Sequence, residues 1–298
     1  MLKEKFLEFG YTEEEYNLIR NSYSVINYTE ETFMQKFIEI TSYLLDLGYT
    51  KTEILKMTNS FPTIYGLSIE NMNKKINDMI DMGYTRDEVL KMTKSLPTIY
   101  NLSIENMNQK ISDMIDLGYT NAEVLKMTKS LPAIYSHSIE NMNQKINDMI
   151  DMGYTRDEVL KMTKSLPALY GYSIENIKQK INDVMNLGYT KDEVLKMTKI
   201  LPSILGLNIE NIREKIEFYD SINMHELAVK DPKQLMQSVA LSYARYMFYL
   251  SRGIEINMGN YSKLFINSKR FEKIYGKTKQ EILEEYNYDL YINKNKTL

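Results

Sequence analysis

A phrase of 35 residues recurs five times along this chain, and this repetition constrains the fold more than any other feature. Five glycines and five prolines keep that interval: Gly48, Gly83, Gly118, Gly153 and Gly188, and Pro62, Pro97, Pro132, Pro167 and Pro202. A fixed period of this length is the signature of stacked repeats, in which each unit buries its apolar face against its neighbours. Because stacking multiplies one surface along one axis, the pattern favours extended recognition over chemistry in a single pocket.

The second copy of the phrase predicts two long helices joined by a short helical turn. Thr85 and Glu88 have the spacing of a capping box, which starts the first helix. Pro97 lacks an amide donor and disfavours helix in the residue before it, so the chain turns there. Ser103 caps the second helix, and Gly118 ends it in a conformation that costs glycine little. The sequence therefore predicts an all-α protein of the α-solenoid class.

The repeats weaken towards both ends of the chain, as terminal capping units do. We predict a degenerate N-terminal capping repeat in residues 1–47, five full repeats in residues 48–222, and degenerate repeats with a basic tail in residues 223–298. Within the last region, residues 233–252 are rich in aromatic side chains and indicate one longer helix. We expect the three regions to form a single continuous solenoid.

The composition removes most catalytic constellations. The chain of 298 residues contains no cysteine, which excludes disulfides, thiolate nucleophiles and cysteine-based metal sites. Its two histidines, His137 and His225, stand in unrelated contexts, and His137 fills a spacer position that is leucine or tyrosine in the other repeats. We therefore expect no catalytic residue, no bound metal and no cofactor. No apolar run is long enough to span a membrane, and no signal or transit peptide begins this chain, so the expected location is the cytoplasm.

The repeated phrase resembles a known family. It is similar to the repeat of the mitochondrial transcription termination factors, the mTERF family. The shared pattern is a glycine, an aromatic residue and a capped helix, followed by a proline and then by the residues Ile-Glu-Asn and Lys-Ile. The segment NSKRFEKIYGKTKQEILEEY, at 267–286, also looks like the C-terminal end of that family. The resemblance covers roughly residues 10–286, and its strength lies in the five recurrences of the whole pattern.

The resemblance implies a left-handed superhelix of three-helix units, the middle helix being short. It also implies binding of double-stranded DNA or structured RNA along a basic concave path, with a role in transcription or RNA metabolism. We expect such a protein to be a monomer.

Charge is distributed unevenly, which indicates where a polyanion would bind. Residues 1–47 hold four basic and nine acidic side chains, whereas residues 223–298 hold twelve basic and eight acidic ones. One position of the second long helix is asparagine in three repeats, then becomes Lys178 and Arg213. Arginine and lysine can both meet phosphates, which require charge and little geometry. The candidate nucleic-acid-binding residues are Lys161, Lys164, Lys178, Lys196, Lys199, Arg213, Arg245, Arg252, Lys269 and Arg270.

A structural interpretation of the same lysines remains open. Lysine near a helix C-terminus is favoured by the macrodipole, and Asp157 with Lys161, like Asp192 with Lys196, has the spacing of an i,i+4 ion pair. The alternative function is a scaffold that binds other proteins on the same solenoid. Nucleic-acid binding predicts a continuous positive stripe, whereas the scaffold predicts an apolar or mixed-charge groove.

Overall fold

The computed structural model describes residues 2–22 and 25–288, and every regular element in this part of the chain is helical. The first three helices form the N-terminal capping region: α1 (Leu2–Phe9), α2 (Glu13–Arg20) and α3 (Glu30–Asp46). The all-α prediction is confirmed.

Each of the five repeats contains a first helix, which we call helix A, a short 3-10 turn and a second helix, helix C. In chain order, A and C helices alternate as α4 (Lys51–Ser60), α5 (Ile69–Asp81), α6 (Arg86–Ser95), α7 (Ile104–Asp116), α8 (Asn121–Ser130), α9 (Ile139–Asp151), α10 (Arg156–Ser165), α11 (Ile174–Met185), α12 (Lys191–Ile200) and α13 (Ile209–Ser221). The 3-10 turns are Pro62–Gly66, Pro97–Asn101, Pro132–Ser136, Pro167–Gly171 and Pro202–Gly206. The short middle element that the sequence predicted is thus present in every repeat.

The C-terminal region continues the pattern in shortened form. It contains α14 (Leu227–Lys230), a 3-10 turn at Pro232–Met236, α15 (Val239–Leu250), a 3-10 turn at Tyr261–Phe265, α16 (Ser268–Tyr275) and α17 (Lys279–Glu285). The expected single helix over 233–252 is wrong, because Pro232 starts a 3-10 turn and Ser238 caps a separate helix through its side chain. Residues 289–298 of the predicted basic tail lie outside the described residues.

Local chemistry sets the helix boundaries. In all five A helices the N-cap threonine accepts a hydrogen bond from the backbone of the following glutamate, whose carboxylate accepts one in return. Gly83 and Gly153 follow C helices with φ of +106° and +112°, a conformation that strains any residue with a Cβ atom. The boundary glycine is therefore required by the backbone.

By their internal contacts the residues form two compact units, 1–144 and 145–298. In the first unit, A helices pack against A helices (α4 with α6, α6 with α8), and C helices pack against C helices (α5 with α7). The second unit repeats this arrangement, with α10 against α12 and α11 against α13. The α-solenoid class is confirmed by this side-by-side stacking. That the regions form a single continuous solenoid remains a prediction.

Buried hydroxyl groups join neighbouring repeats. The tyrosine that follows each boundary glycine is buried. The hydroxyls of Tyr49, Tyr84 and Tyr154 each contact a fully buried threonine of the next A helix, whereas that of Tyr189 donates to His225 O at 2.9 Å. The oxygen–oxygen distance is 2.6 Å for Tyr49 with Thr93 and for Tyr84 with Thr128. Tyr84 also contacts the hydroxyl of Tyr135 in the following 3-10 turn, at 2.5 Å. Because a buried hydroxyl without a partner is costly, these contacts fix how one repeat sits on the next.

Candidate nucleic-acid interface

One row of lysines on the A helices is held in ion pairs between repeats. Lys94 Nζ lies 2.8 Å from Glu53 Oε1, and Lys129 Nζ lies 2.9 Å from Glu88 Oε1. The glutamate is in each case the capping-box residue of the preceding repeat. The lysine bond and the backbone amide of Thr50 together lower the pKa of Glu53 to about 2. Each carboxylate therefore serves both a helix N-terminus and a neighbouring repeat.

The second unit shows how this arrangement affects the candidate residues. Lys199 Nζ lies 2.8 Å from Glu158 Oε1, so Lys199 can reach a phosphate only by giving up this pair. Lys164, at the equivalent position, is half-buried and also has an interaction partner. The sequence interpretation attributed such lysines to the helix macrodipole. The structure adds a carboxylate from a different repeat, which sequence spacing alone did not reveal.

A lysine near the middle of the C helices also has a structural role. Lys75, Lys110 and Lys145 each donate a hydrogen bond to the backbone carbonyl that ends the next repeat's 3-10 turn, at Leu102, His137 and Tyr172. Burial lowers the pKa of Lys75 and Lys145. The position of these lysines beside the apolar stripe is the sequence signal for this role. They tie repeats together and are poor candidates for a phosphate.

A second lysine position on the A helices remains exposed. Lys161 and Lys196 are exposed and form no ion pair with any described residue. The expected i,i+4 pairs with Asp157 and Asp192 are therefore absent from the described part of the chain. These two ammonium groups are available to an external anion.

The remaining candidates fall into exposed and engaged groups. Lys178, Lys269 and Arg270 are exposed and make no ion pair within the described residues. Arg213 is exposed but its Nε lies 3.2 Å from Glu210 Oε2. Such exposed pairs are weak, so the guanidinium can exchange one partner for another at small cost.

Arg245 requires a correction. Only 3% of this residue is exposed, and its guanidinium donates to Leu264 O at 2.8 Å and Ser268 Oγ at 3.2 Å. It also lies over the ring of Phe271, 5.2 Å from the centroid. A side chain held in this way fastens α15 to the segment after it and cannot meet a phosphate. The sequence shows the positive charge of Arg245 but does not show that the side chain is buried.

Arg252 is exposed like the available cations, but its guanidinium is held by contacts within the protein. The residue is exposed, yet its guanidinium stacks 3.6 Å from the ring centroid of Phe248. Its Nη1 also donates to Phe248 O at 3.3 Å. Stacking orients the planar guanidinium and leaves some of its N–H donors facing solvent. An oriented guanidinium binds an anion better than a freely rotating one does.

Two grooves that sequence analysis did not anticipate each lie between a C helix and the turn that follows in the next repeat. In the second unit the groove encloses about 360 Å³ between Asn176, Gln179, Lys180 and Asp183 of α11 and residues 205–207. In the first unit the equivalent groove encloses about 430 Å³ and is lined by Asn71, Lys74, Lys75 and Asp78. Amide, ammonium and carboxylate groups share these walls, so the groove offers hydrogen bonds without an excess of one charge.

The described residues contain no group of three or more histidine, aspartate or glutamate side chains placed to hold a metal ion. Within the same residues, no helix combines the length and apolar character needed to cross a membrane. His225 Nδ1 lies 2.6 Å from Asp220 Oδ1, and its ring stacks on Tyr189, which makes it a packing residue.

Capped helix pairs with an intervening 3-10 turn, stacked A on A and C on C, define a helical-repeat protein of the α-solenoid class. The mTERF family pattern matches residues 2–82, 71–187 and 114–272, which together span most of the chain. The chain belongs to the mTERF family. No curated protein matches it.

Proposed function

We propose that this protein binds double-stranded DNA or structured RNA without catalysis, and acts in transcription or RNA metabolism. Membership of the mTERF family supports nucleic-acid binding in general terms. The observation that carries the proposal is that five of the ten candidate cations are exposed and that their cationic groups make no ion pair, hydrogen bond or ring contact with a described residue: Lys161, Lys178, Lys196, Lys269 and Arg270.

The charge of these groups is suited to phosphates. A cation that is already paired inside a protein contributes less binding free energy to an external anion, because its internal ion pair must first break. Exposed, unpaired lysine and arginine side chains release counterions from the nucleic acid at no such cost. Five phosphate contacts would give a slope of log K against log salt of about −4.5 on duplex and about −3.5 on single strands.

A salt titration tests the proposal. Binding of labelled duplex DNA, hairpin RNA and single-stranded DNA is measured by fluorescence anisotropy between about 50 and 200 mM salt. Lys178→Asn restores the residue found at the same position in three earlier repeats. Because Lys178 is exposed, the variant should retain the fold of the parent protein. We expect this change to weaken binding and reduce the slope on duplex by about 0.9.

Lys129→Asn is the matched control. It also removes one positive charge, and the first repeat carries Asn59 at that position. Since Lys129 is held by Glu88, its loss should leave the salt slope unchanged. Equal affinities of the parent and Lys178→Asn for all three probes, or no binding by the parent, would reject the proposed interface and favour the protein scaffold.

A further inference from the structure

The outer face of α3 differs from the outer faces of the C helices that follow it. Ile38 is 51% exposed and Leu45 is 45% exposed, and their separation of seven residues puts them on one face of the helix. At the position of Ile38, the next three repeats carry exposed asparagines: Asn73, Asn108 and Asn143. Leu45 has exposed counterparts in Ile115 and Ile150, so the branched apolar side chain of Ile38, in place of an amide, is what completes an apolar stripe on α3.

This stripe is not needed by the core of the protein. The opposite face of α3 buries Phe33, Phe37, Ile40 and Leu44, each at most 5% exposed. Phe37 stacks on Phe6 with ring centroids 3.9 Å apart. Single exposed apolar side chains are common, but terminal repeats usually present a polar outer face to water. Two aligned apolar residues on the first long helix depart from that rule.

Within the N-terminal capping region itself, the unpaired charge near the stripe is negative. Every cation among residues 2–22 and 25–47 is engaged: Lys3 with Glu13, Lys5 with Glu8, Lys36 with Glu39, and Arg20 with three backbone carbonyls. Glu31 lies seven residues before Ile38, and Asp46 directly follows Leu45. Both carboxylates are exposed and have no cationic partner within the described residues. The apolar stripe is therefore bounded by unpaired negative charge at both ends.

We propose that the outer face of α3 is a docking surface for a basic amphipathic helix of a partner protein. An apolar seam of that helix would cover Ile38 and Leu45, while its lysine or arginine side chains would reach Glu31 and Asp46. The site is rigid, since α3 is anchored by its buried face and Tyr43 donates a hydrogen bond of 2.8 Å to Asn73 on the neighbouring α5. None of its residues is among the proposed nucleic-acid contacts.

Charge argues against a second copy of this chain as the occupant. Packing α3 against α3 would bring the carboxylates of Glu31 and Asp46 on one copy towards those on the other, and like charges in such an interface are unfavourable. A nucleic acid is excluded by the same carboxylates. A cationic, helical protein segment satisfies both the apolar stripe and the acidic ends.

The test uses the purified chain and synthetic peptides. The probe is an amidated helical peptide with leucines at the a and d positions of two heptads and lysines elsewhere, and its acidic counterpart carries glutamate in place of lysine. Binding is followed by fluorescence anisotropy at low and high salt. We expect micromolar binding of the lysine peptide, weakened by salt, and at least tenfold weaker binding of the glutamate peptide.

Ile38→Asn is the decisive variant, because the chain tolerates asparagine at this position in its own repeats. It should keep the parent's melting temperature and bind the lysine peptide at least tenfold more weakly. Leu18→Asn is the control, since Leu18 is 55% exposed but lies on α2. Unchanged affinity in Ile38→Asn, or an equal loss in Leu18→Asn, would overturn the proposal. Dimerisation of the parent in sedimentation velocity that Ile38→Asn abolishes would overturn it in favour of a second copy.

Discussion

The hydroxyl of Tyr154 lies 2.6 Å from Oγ1 of Thr198, a residue of the next A helix that is fully buried. The same contact joins Tyr49 to Thr93 and Tyr84 to Thr128. In the fifth repeat, however, Leu205 replaces the tyrosine that elsewhere supplies a third hydroxyl. Tyr154 therefore depends on one threonine, whereas Tyr84 also has Tyr135.

Thr198→Val should destabilise the protein more than Thr128→Val. Valine has nearly the shape of threonine but leaves the Tyr154 hydroxyl buried without a partner, which costs about 1–3 kcal/mol. After Thr128→Val, Tyr84 keeps its contact with the Tyr135 hydroxyl, so we expect a loss nearer about 1 kcal/mol. Thermal unfolding of both variants measures the difference. Equal losses would show that the hydroxyl contacts do not determine stability at these interfaces.

Ion pairs between repeats should make stability fall in acid. The Lys129 bond and the Thr85 amide hold the pKa of Glu88 below its usual value of 4.5. Because the folded-state pKa is lowered, the stabilisation is complete above the unfolded-state pKa and is lost as pH falls through the folded-state value. For Glu53 that loss spans roughly pH 4.5 to 2.

Glu88→Gln tests this dependence. Glutamine preserves the capping box but removes the charge that Lys129 contacts. We expect the variant to melt below the parent at neutral pH, and the gap in melting temperature to narrow as pH falls below 4.5. A gap that stays constant with pH would mean that the ion pair contributes nothing.

Loss of Arg245 should affect folding and leave nucleic-acid binding unchanged. Arg245→Met keeps much of the side-chain length but leaves the buried Leu264 carbonyl without its donor, so we expect a loss of roughly 3 kcal/mol. The folded fraction should bind nucleic acid with the parent's salt slope. A variant that is as stable as the parent but binds more weakly would place Arg245 in the interface after all.

Removal of one whole repeat should leave a folded protein. Deletion of residues 83–117 joins Met82 to Gly118, and Tyr49 then faces Thr128 in place of Thr93, so every contact between repeats has an equivalent. Circular dichroism should show helical protein with a cooperative, lower melting transition. Deletion of residues 83–99 alone removes a helix A and should abolish that transition. Unfolding of the whole-repeat deletion would contradict nearest-neighbour stacking.

Sequence patterns predicted the repeats well and the site less completely. The capping pair Thr85 and Glu88, Pro97 and Gly118 all act within a few residues of themselves, so their structural effect could be read from spacing. The interaction partners of lysines could not. Lys94 pairs with a glutamate 41 residues earlier, and the i,i+4 partner expected for Lys161 is not used.

The sequence by itself determined the helical-repeat class, the period and the helix boundaries of the five full repeats, because capping, proline and glycine effects depend only on nearby backbone. Only the tertiary structure decided which cations are available. Five of the ten candidates proved exposed and unpaired, whereas Arg245 is buried and Lys199 is paired across repeats. The physical reason is that burial and long-range pairing arise when repeats stack, and a side chain's charge is the same in the sequence whether it faces water or a neighbouring helix.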